Sequence, residues 1–455
     1  MSKITNFIKK YRVFIFLISL IMLCAIARFY GLNSLLHFDV DEATHTQIIT
    51  NIFEKFDLVA KGPPASSGET LYHGAFYYYL YLPFGIIGNG NPLYLSIFTI
   101  ILSIASIPLL YLALERAFGG RVAFFSTIFY GLSSSVILYS RWIWNPNSIP
   151  FFFILALFAL SRINEKRGTY LVLLFFAISC ISQLHFGSML LPVLILLLLP
   201  WLLKMKFGLK AWMVAICAFL IPWLPTIYYE IISNFELLRG LLHMSDGTRE
   251  SLTLIDRIMR SYNYFIFMFD NINRLSSQYF ILSILTLVSM LVLYIRKPNK
   301  QANGLVAIFL LGSLVYIFLV CAAYSGILHI HFVEEIFVLM AITLGSLVAQ
   351  LSRNKFTILA AIFITCLAVS NNYAQYKKEI IGGKREFETH KKVCQKIEDT
   401  GDKSALVFIN GKENPNFIKY ICQRFYGIDI GEYPDNTYYF ETDFKNKFNS
   451  SRVDI

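Results

Sequence analysis

Residues 13–45 read VFIFLISLIMLCAIARFYGLNSLLHFDVDEATH, and they decide the class of the chain. The first half, 13–29, is almost wholly apolar. Runs of that length are read as transmembrane helices, because lipid offers unpaired backbone groups no partner. Lys3, Lys9, Lys10 and Arg12 precede the run, which is also the order found in a secretory leader. A cleaved leader has a shorter apolar stretch that ends in small residues. This run ends in Ala-Arg-Phe-Tyr-Gly, so the expectation is a retained anchor with its N-terminus in the cytoplasm. Directly after it, three carboxylates and two histidines fall within 37–45.

The apolar pattern recurs along all 455 residues, which are 56% hydrophobic and 15% charged, with a mean hydropathy of +0.56. An ordinary soluble domain is about half apolar and a quarter charged. Further spans are expected near 92–114, 122–139, 149–160, 170–185, 189–203, 211–229, 279–295, 305–324, 332–351 and 356–372. Every second connection is basic: Arg116 with Arg121; Arg162, Lys166 and Arg167; Lys204, Lys206 and Lys210; Arg296, Lys297 and Lys300; Arg353 with Lys355. The connections between them carry almost no Lys or Arg. That is the positive-inside pattern. It implies a mainly α, polytopic bundle of about eleven spans, with the N-terminus inside and the C-terminus outside. The net charge of +11 therefore reports orientation and not nucleic-acid binding.

Segment 72–88 is apolar enough to tempt a twelfth span, but a crossing there would invert every later basic connection. It is expected on the outer surface, interfacial or re-entrant, with its tyrosines at headgroup level. Three pieces then lie outside: a first loop at 31–91, a middle loop at 230–278, and a tail at 373–455. The tail reads as a small α/β domain behind a bundle of 1–372, with strands at 405–409 and 437–441 and helices at 386–397 and 416–425. Cys24, Cys180, Cys217, Cys321 and Cys366 lie in apolar runs. Cys394 and Cys422 lie in the tail, where they are free to pair in an oxidising compartment.

Chemistry is expected at the outer mouth. Grouping Asp39, Asp41 and Glu42 with His37 and His45 at a low-dielectric boundary is costly, because like charges raise one another's pKa. Such clusters serve metal binding or general-base work; the blander reading is a solvated loop in which Asp39 or Asp41 caps a helix over 42–56. Arg141 stands between tryptophans in a loop otherwise without charge, either a membrane anchor or a fork for a lipid phosphate. Gln183 and His185 end one span, and His331, Glu334 and Glu335 open another; Lys61 is a second candidate phosphate partner. No nucleotide-binding loop, CxxC, HExxH or internal repeat occurs.

Several of these features together resemble the GT-C glycosyltransferases, in particular the group of protein O-mannosyltransferases and bacterial aminoarabinose–lipid A transferases. They are the Asp41-Glu42 pair just after the first span, the surface segment Tyr72-His73-Gly-Ala-Phe-Tyr77-Tyr-Tyr79, and Ser140-Arg141. Gln183-Leu-His185 and His331-Phe332 complete the set. The resemblance runs from the first span to about residue 372, and the tail adds nothing specific to it. It implies a GT-C bundle taking a hexose or pentose from a polyprenyl-phosphate donor that enters from the bilayer. Transfer would invert and need no nucleotide sugar or other cofactor. The acceptor would be a lipid (lipopolysaccharide among them), a glycan or a protein of the cell envelope. By position, Asp41 matches the base, Glu42 its neighbour, and Arg141, with Lys61 beside it as a candidate, the donor-phosphate partner. Asp39, His45, His73, Tyr77, Asn145, Gln183, His185, His331, Glu334 and Glu335 are the expected substrate-binding residues. Many relatives place an aspartate shortly after the arginine; this chain has Asn145 and Asn147, so Glu334 or Glu335 is the candidate to replace it.

The residues fit that chemistry independently of any resemblance. Hydroxyl attack on a phosphate-linked anomeric carbon needs a base and cationic stabilisation of the leaving phosphate. A divalent cation at Asp39, Asp41 and His45 stays open, although the resembled group generally works without metal. A flippase of lipid-linked sugars is a competing class, and it expects charge near the bilayer middle. A glycan polymerase or ligase is another, with Arg239, Arg249, Arg257, Arg260 and Arg274 of the middle loop as candidate glycan contacts; a non-catalytic scaffold is the third. The expected site is the cytoplasmic membrane, with the mouth facing the periplasm or exterior.

Overall fold

In the computed structural model, the described residues are all but 1, 66–70, 166–167, 243–251, 296–300, 325–327, 414, 432–435, 443–447 and 455. Lys166, Arg167, Arg249, Arg296, Lys297 and Lys300, which entered the charge reading, lie outside the described residues. The first span is α1 (Ser2–Phe29). The first loop supplies α2 (Val40–Lys55), β1 (Lys61–Pro64), β2 (Tyr72–Gly74) and α3 (Phe76–Ile87). Next come α4 (Pro92–Phe118), α5 (Gly120–Leu132), α6 (Ser134–Tyr139), α7 (Ile149–Arg162), α8 (Gly168–Leu184), α9 (Val193–Lys204) and α10 (Leu209–Ile232). The middle loop forms α11 (Glu236–Leu242) and α12 (Leu254–Asn273). The bundle closes with α13 (Ser277–Ile295), α14 (Gln301–Ala323), α15 (Glu335–Leu351) and α16 (Ile358–Tyr376).

Among the described residues, seven helical stretches are long and apolar enough to cross a membrane, with an eighth if the bent α12–α13 pair is one span. The other expected crossings fall on helices of a different kind. α8 and α15 have 17 residues each, about 25 Å of helix. The stretch expected to cross at 122–139 is two helices, α5 and α6, broken at Ser133. The break costs backbone partners, and Asn372 supplies one: its Oδ1 accepts from Ser134 N at 2.8 Å and Ser134 Oγ at 3.1 Å. α12 and α13 meet at 99°.

α15 runs through the middle of the bundle. Every residue of its first fifteen is buried, and it packs on α5, α13, α12 and α7. That explains a sequence apolar all round, since no face meets solvent. Its approach to α5 depends on Gly345, where a Cβ would fall 2.1 Å from Ser126 Oγ. Small residues at such a contact let two helix backbones close in.

The basic connections gather at one end. Arg116 and Arg162 both reach Glu165 at 3.2 Å. Arg12, Glu115, Arg121, Ser352 and Ile358 line one cavity of about 710 Å³, at the end opposite the candidate site.

The described part of the middle loop is tied to this bundle. On α12, Ser261, Tyr264, Phe265, Met268, Phe269 and Ile272 are buried, a helical stripe of period 3.6. Arg257 donates to Ala322 O at 3.0 Å and Ala323 O at 3.1 Å, and Arg260 to Tyr324 O at 3.1 Å. These arginines satisfy the carbonyls that α14 leaves unpaired at its end. Arg239 and Arg274 likewise bond Ser233 O and the Ser134–Ser135 hydroxyls. Among the described members of the set weighed for an anionic glycan, Arg239, Arg257, Arg260 and Arg274 all bond groups of the protein; Arg249 lies outside the described residues.

α3 corrects an expectation. It does stay short of a span, at 12 residues, or about 18 Å. Its tyrosines, however, turn inward: Tyr77, Tyr78 and Tyr81 are buried against α2 and α4 and are not headgroup anchors. Tyr81 Oη meets Thr99 and Ser148 hydroxyls at 2.9 Å each, so the ring's polar end is wet by protein instead of lipid headgroups.

After α16 the tail forms α17 (Glu386–Glu398), β3 (Ser404–Ile409), β4 (Lys412–Glu413), α18 (Asn416–Ile421), β5 (Asp429–Ile430), β6 (Asn436–Thr442) and β7 (Phe448–Asp454). The sheet order is β4-β3-β6-β7, with β3 and β6 parallel and β5 pairing β3. Cys394 and Cys422 are joined in a disulfide across 28 residues. The tail docks on the first loop: Phe387 N donates to Leu36 O, Phe38 packs edge-on to Phe387, and Arg424 pairs with Glu54 and Asn89.

Candidate active site

The first turn of α2 sorts its carboxylates by position. Asp39 is the N-cap, extended at φ −123°, and its carboxylate accepts from Val40 N at 2.9 Å. Glu42 completes a capping box by accepting from Asp39 N at 3.1 Å. Acidic residues in that turn also suit the positive end of the helix dipole. The helix's buried stripe begins with Glu42 and continues through His45, Thr46 and Ile49. Glu42 is therefore turned in and Asp41 turned out.

Their electrostatics differ accordingly. Burial pushes Glu42 up to about 7, against the pull of His37 and the backbone donors. His37 sits 3.4 Å from Glu42 and hydrogen-bonds Glu386 of the tail, with its ring 4.5 Å from that of Trp142. Burial alone would lower His37, but the Glu386 bond and the Glu42, Glu386 and Asp39 carboxylates outweigh it and raise it to about 9. Asp41 is exposed and has no hydrogen-bond partner among the described residues. Desolvation at the crowded mouth, then the Asp39 carboxylate, raise its pKa above the ordinary aspartate value.

Arg141 forms the adjoining wall. It is buried, and its Nη1 donates to Arg28 O at 2.7 Å and Tyr30 O at 2.8 Å, latching the end of α1. Its Nη2 has no partner among the described residues. Burial lowers the guanidinium to about 10. Half of the fork expected to face a phosphate is thus committed to backbone, and half is not. Arg141 opens into a cavity of about 410 Å³ shared with His37, Trp142, Lys378, Lys384 and Glu386. Lys378 and Lys384 come from the tail side, which the sequence did not single out. Arg28 was also missed; it is fully buried, bonds Ser103, Cys24 O and Gly131 O, and has no carboxylate partner among the described residues.

A second wall is made of uncharged rings. Trp142 and Trp144 lie 6.2 Å apart, and Trp144 is 4.1 Å from His331. His331 neighbours His185 at 6.4 Å, and His185 stacks on His73 at 4.6 Å. His73 Nδ1 accepts from Phe186 N at 2.8 Å, which places the ring's proton on Nε2. Burial, then His45 and His331, drive His73 down to about 3. The close approach of β2 to α8 depends on Gly74, where a Cβ would meet Gln183 Oε1 at 2.1 Å. Glu334 and Glu335 are fully buried behind this wall; Glu335 has Ser188 as its polar neighbour, and neither oxygen of Glu334 finds a partner among the described residues.

The expected residues therefore fall into three groups. Asp39, Asp41, Glu42 and Arg141 come together with His37 at one mouth. His73, His185, His331, Glu334 and Glu335 line or back its second wall. The rest are structural or elsewhere. His45 is buried against Tyr77 at 5.0 Å and is lowered to about 4 by burial, so it faces the packing under α3. Tyr77 lies there with it. Asn145 donates to Leu184 O at 2.5 Å, and Gln183 Oε1 accepts from Thr226 at 2.7 Å. Lys61 lies over the Tyr72 ring at 3.3 Å and near Tyr229, away from the Asp41 group. The ligand set Asp39, Asp41 and His45 does not assemble, because one caps, one faces solvent and one is buried. Among the described residues no three His, Cys, Asp or Glu side chains converge as metal ligands.

Solved structures with this arrangement of helices exist. ArnT from Cupriavidus metallidurans bound to undecaprenyl phosphate superposes at a TM-score of 0.61, with 11% identity over 94% of this chain and 93% of that one. This is the GT-C fold. Its archaeal representatives include the Archaeoglobus fulgidus oligosaccharyltransferase in complex with zinc and sulfate, at a TM-score of 0.56 and 11% identity over 91% of this chain. The same organism's AglB, with an inhibitory peptide and a dolichol-phosphate, superposes at 0.57 and 11% identity over 93% of this chain. The present chain spans 62% and 64% of the length of those two proteins. No family model matches the sequence, and no curated protein sequence matches it.

Proposed function

We propose that this chain is a membrane glycosyltransferase. It moves a sugar from a polyprenyl-phosphate donor to a cell-envelope hydroxyl, with inversion and with Asp41 as general base. The observation that carries the proposal is Asp41 itself: an exposed carboxylate without a hydrogen-bond partner among the described residues, raised in pKa, next to His37, which lines one cavity with the partner-short Arg141 guanidinium. A carboxylate whose pKa is raised accepts a proton more readily, which suits a general base. In the reaction the acceptor oxygen bonds the anomeric carbon and the bond from that carbon to the phosphate oxygen breaks. The acceptor proton passes to Asp41, and polyprenyl phosphate leaves with the bonding pair. Arg141, Lys378 and Lys384 around the 410 Å³ cavity supply cationic stabilisation for that leaving group. One displacement inverts the anomeric centre.

Two solved neighbours hold undecaprenyl phosphate or dolichol-phosphate, which supports a lipid-linked donor. An extracytoplasmic mouth in a cytoplasmic membrane is supported by the Cys394–Cys422 disulfide on the tail side and by basic connections gathered at the opposite end. Whether the sugar is a hexose or a pentose is decided by assay. The purified chain in lipid nanodiscs is offered polyprenyl-phosphate sugars labelled at the anomeric carbon, with lipid, glycan and peptide acceptors. The proposal expects labelled glycoside of inverted configuration and one polyprenyl phosphate released per transfer. Retained configuration, or no transfer from any donor, contradicts it.

A further inference from the structure

A groove of about 360 Å³ lies between α2 and the tail, one turn along from Asp41. Its walls are Thr44, Gln47 and Asn51 on α2, and Asn416, Lys419 and Gln423 on α18 and the turn that follows it. Ala43, Ile48 and Tyr420 form the floor. On a helix, positions 41, 44, 48 and 51 share one face, so the groove continues the face that carries the Asp41 carboxylate. Thr44 follows Asp41 by roughly 4.5 Å of helix rise.

Its chemistry is distinct from that of the Arg141 cavity. Four primary amides, the Thr44 and Tyr420 side chains and a single ammonium line it. A side-chain amide offers donors and acceptors from one planar group, which matches vicinal hydroxyls, whereas phosphate sites draw on arginine forks. Two of the amides are oriented by bonds within the protein: Gln47 Nε2 donates to Asn51 Oδ1 at 2.9 Å, and Gln423 Nε2 to Asp429 Oδ1 at 2.7 Å. The groove is open to solvent at Thr44, Asn416, Lys419 and Gln423, which are exposed. The two walls are held in register from beneath, where Tyr420 Oη meets Thr50 Oγ1 at 3.1 Å and Gly90 O at 2.5 Å.

We infer that this groove is the acceptor subsite and that it takes a neutral, polyhydroxylated glycan, delivering one hydroxyl toward Asp41. The inference rests on the proposed transfer. It gives the tail a role: supplying half of the acceptor site, so that acceptor choice belongs to α18 and donor choice to the bundle.

The test uses the full chain in nanodiscs. Binding of neutral trisaccharides of glucose, galactose and mannose is measured by saturation-transfer NMR, and binding of undecaprenyl phosphate is measured separately on the same samples. The variants are Gln47→Ala, Gln423→Ala, and Thr44→Trp, which fills the groove without removing a polar partner from the core. At least one neutral trisaccharide should bind the native chain. Each variant should weaken it about tenfold or more, with undecaprenyl phosphate binding unchanged. Trisaccharide binding that survives all three variants, or no trisaccharide binding at all, overturns the acceptor groove while leaving the transferase reading intact. A preference for phosphorylated over neutral trisaccharide also overturns it. Loss of undecaprenyl phosphate binding by the native chain, with trisaccharide binding kept, strikes the transferase reading and leaves a glycan site.

Discussion

Two helices of this bundle open with a pair of adjacent acidic residues, and the pairs have opposite surroundings. At α2 the pair Asp41-Glu42 hangs from a capped turn, one member in solvent and the other bonded to backbone and to His37. At α15 the pair Glu334-Glu335 is wholly buried, and Glu334 has no hydrogen-bond partner among the described residues. Both stand where a helix dipole favours negative charge. The difference is solvation and partnership. A base must meet its substrate's proton, so only the first pair has a member able to work at the mouth as it stands. The second backs a wall of neutral rings, where a carboxylate costs stability. The lesson is that an acidic pair at a helix start says little until the buried stripe of that helix is known.

The sharpest way to break the first region is at its anchor. Arg141→Ala removes both donors from Arg28 O and Tyr30 O, leaving two acceptors unmatched at the end of α1. A loss of about 3 kcal/mol is expected, read as a fall in thermal midpoint in detergent. An unchanged midpoint would mean that the latch does not hold the end of α1.

Next in size is the clasp between that pair and the tail. Glu386→Gln should cost about 2 kcal/mol of tail docking, measured as faster hydrogen exchange in α17. The pH dependence has a definite sign. His37 is raised from its ordinary 6.5 to about 9, so its stabilisation is full below 6.5 and is lost as pH rises through about 9. Glu386 is lowered, so its share is present above the ordinary carboxylate value and is lost as pH falls through the lowered one. Protection of α17 should therefore be greatest below about pH 6.5 and decline progressively to a step complete near pH 9 in the native chain. In Glu386→Gln that step should shift toward lower pH.

Asp39→Ala is a smaller change, about 1 kcal/mol for the lost N-cap. It should loosen α2, leave α15 unaffected, and appear as faster exchange confined to 40–46. The smallest effect belongs to the second pair. Glu334→Gln replaces a buried carboxylate without a partner by a neutral isostere, and stability should stay within about 0.5 kcal/mol or rise. A drop of several degrees in thermal midpoint would show that Glu334 has a partner and would erase the contrast between the two pairs.

Much of this was legible in the sequence for reasons that can be stated. Apolar runs betray helices in lipid because every backbone group there must be satisfied internally. The 37–45 cluster stood out because its charges are close in sequence as well as in space. The parts that stayed hidden are those that depend on distant chain. His37 meets Glu386 across 349 residues, and Lys378 and Lys384 join Arg141 from the segment that follows α16. The aromatic run of α3 reads alike whether it faces headgroups or protein; its burial against α2 and α4 decided the matter. Arg141 looked like a free fork because its backbone partners, Arg28 O and Tyr30 O, carry no side-chain signature. The break between α5 and α6 was likewise invisible, since the group that satisfies it, Asn372, lies 238 residues away.

The central claim is that Asp41 takes the acceptor proton. Its most direct test is the transfer of labelled sugar from a polyprenyl-phosphate donor in membranes holding equal amounts of native chain or Asp41→Asn. Asparagine keeps the shape, and Asp39 keeps the cap, so α2 should persist. The account predicts that transfer falls by at least about a hundredfold while undecaprenyl phosphate still binds. Transfer at the native rate in Asp41→Asn would contradict it and move the base elsewhere in the mouth.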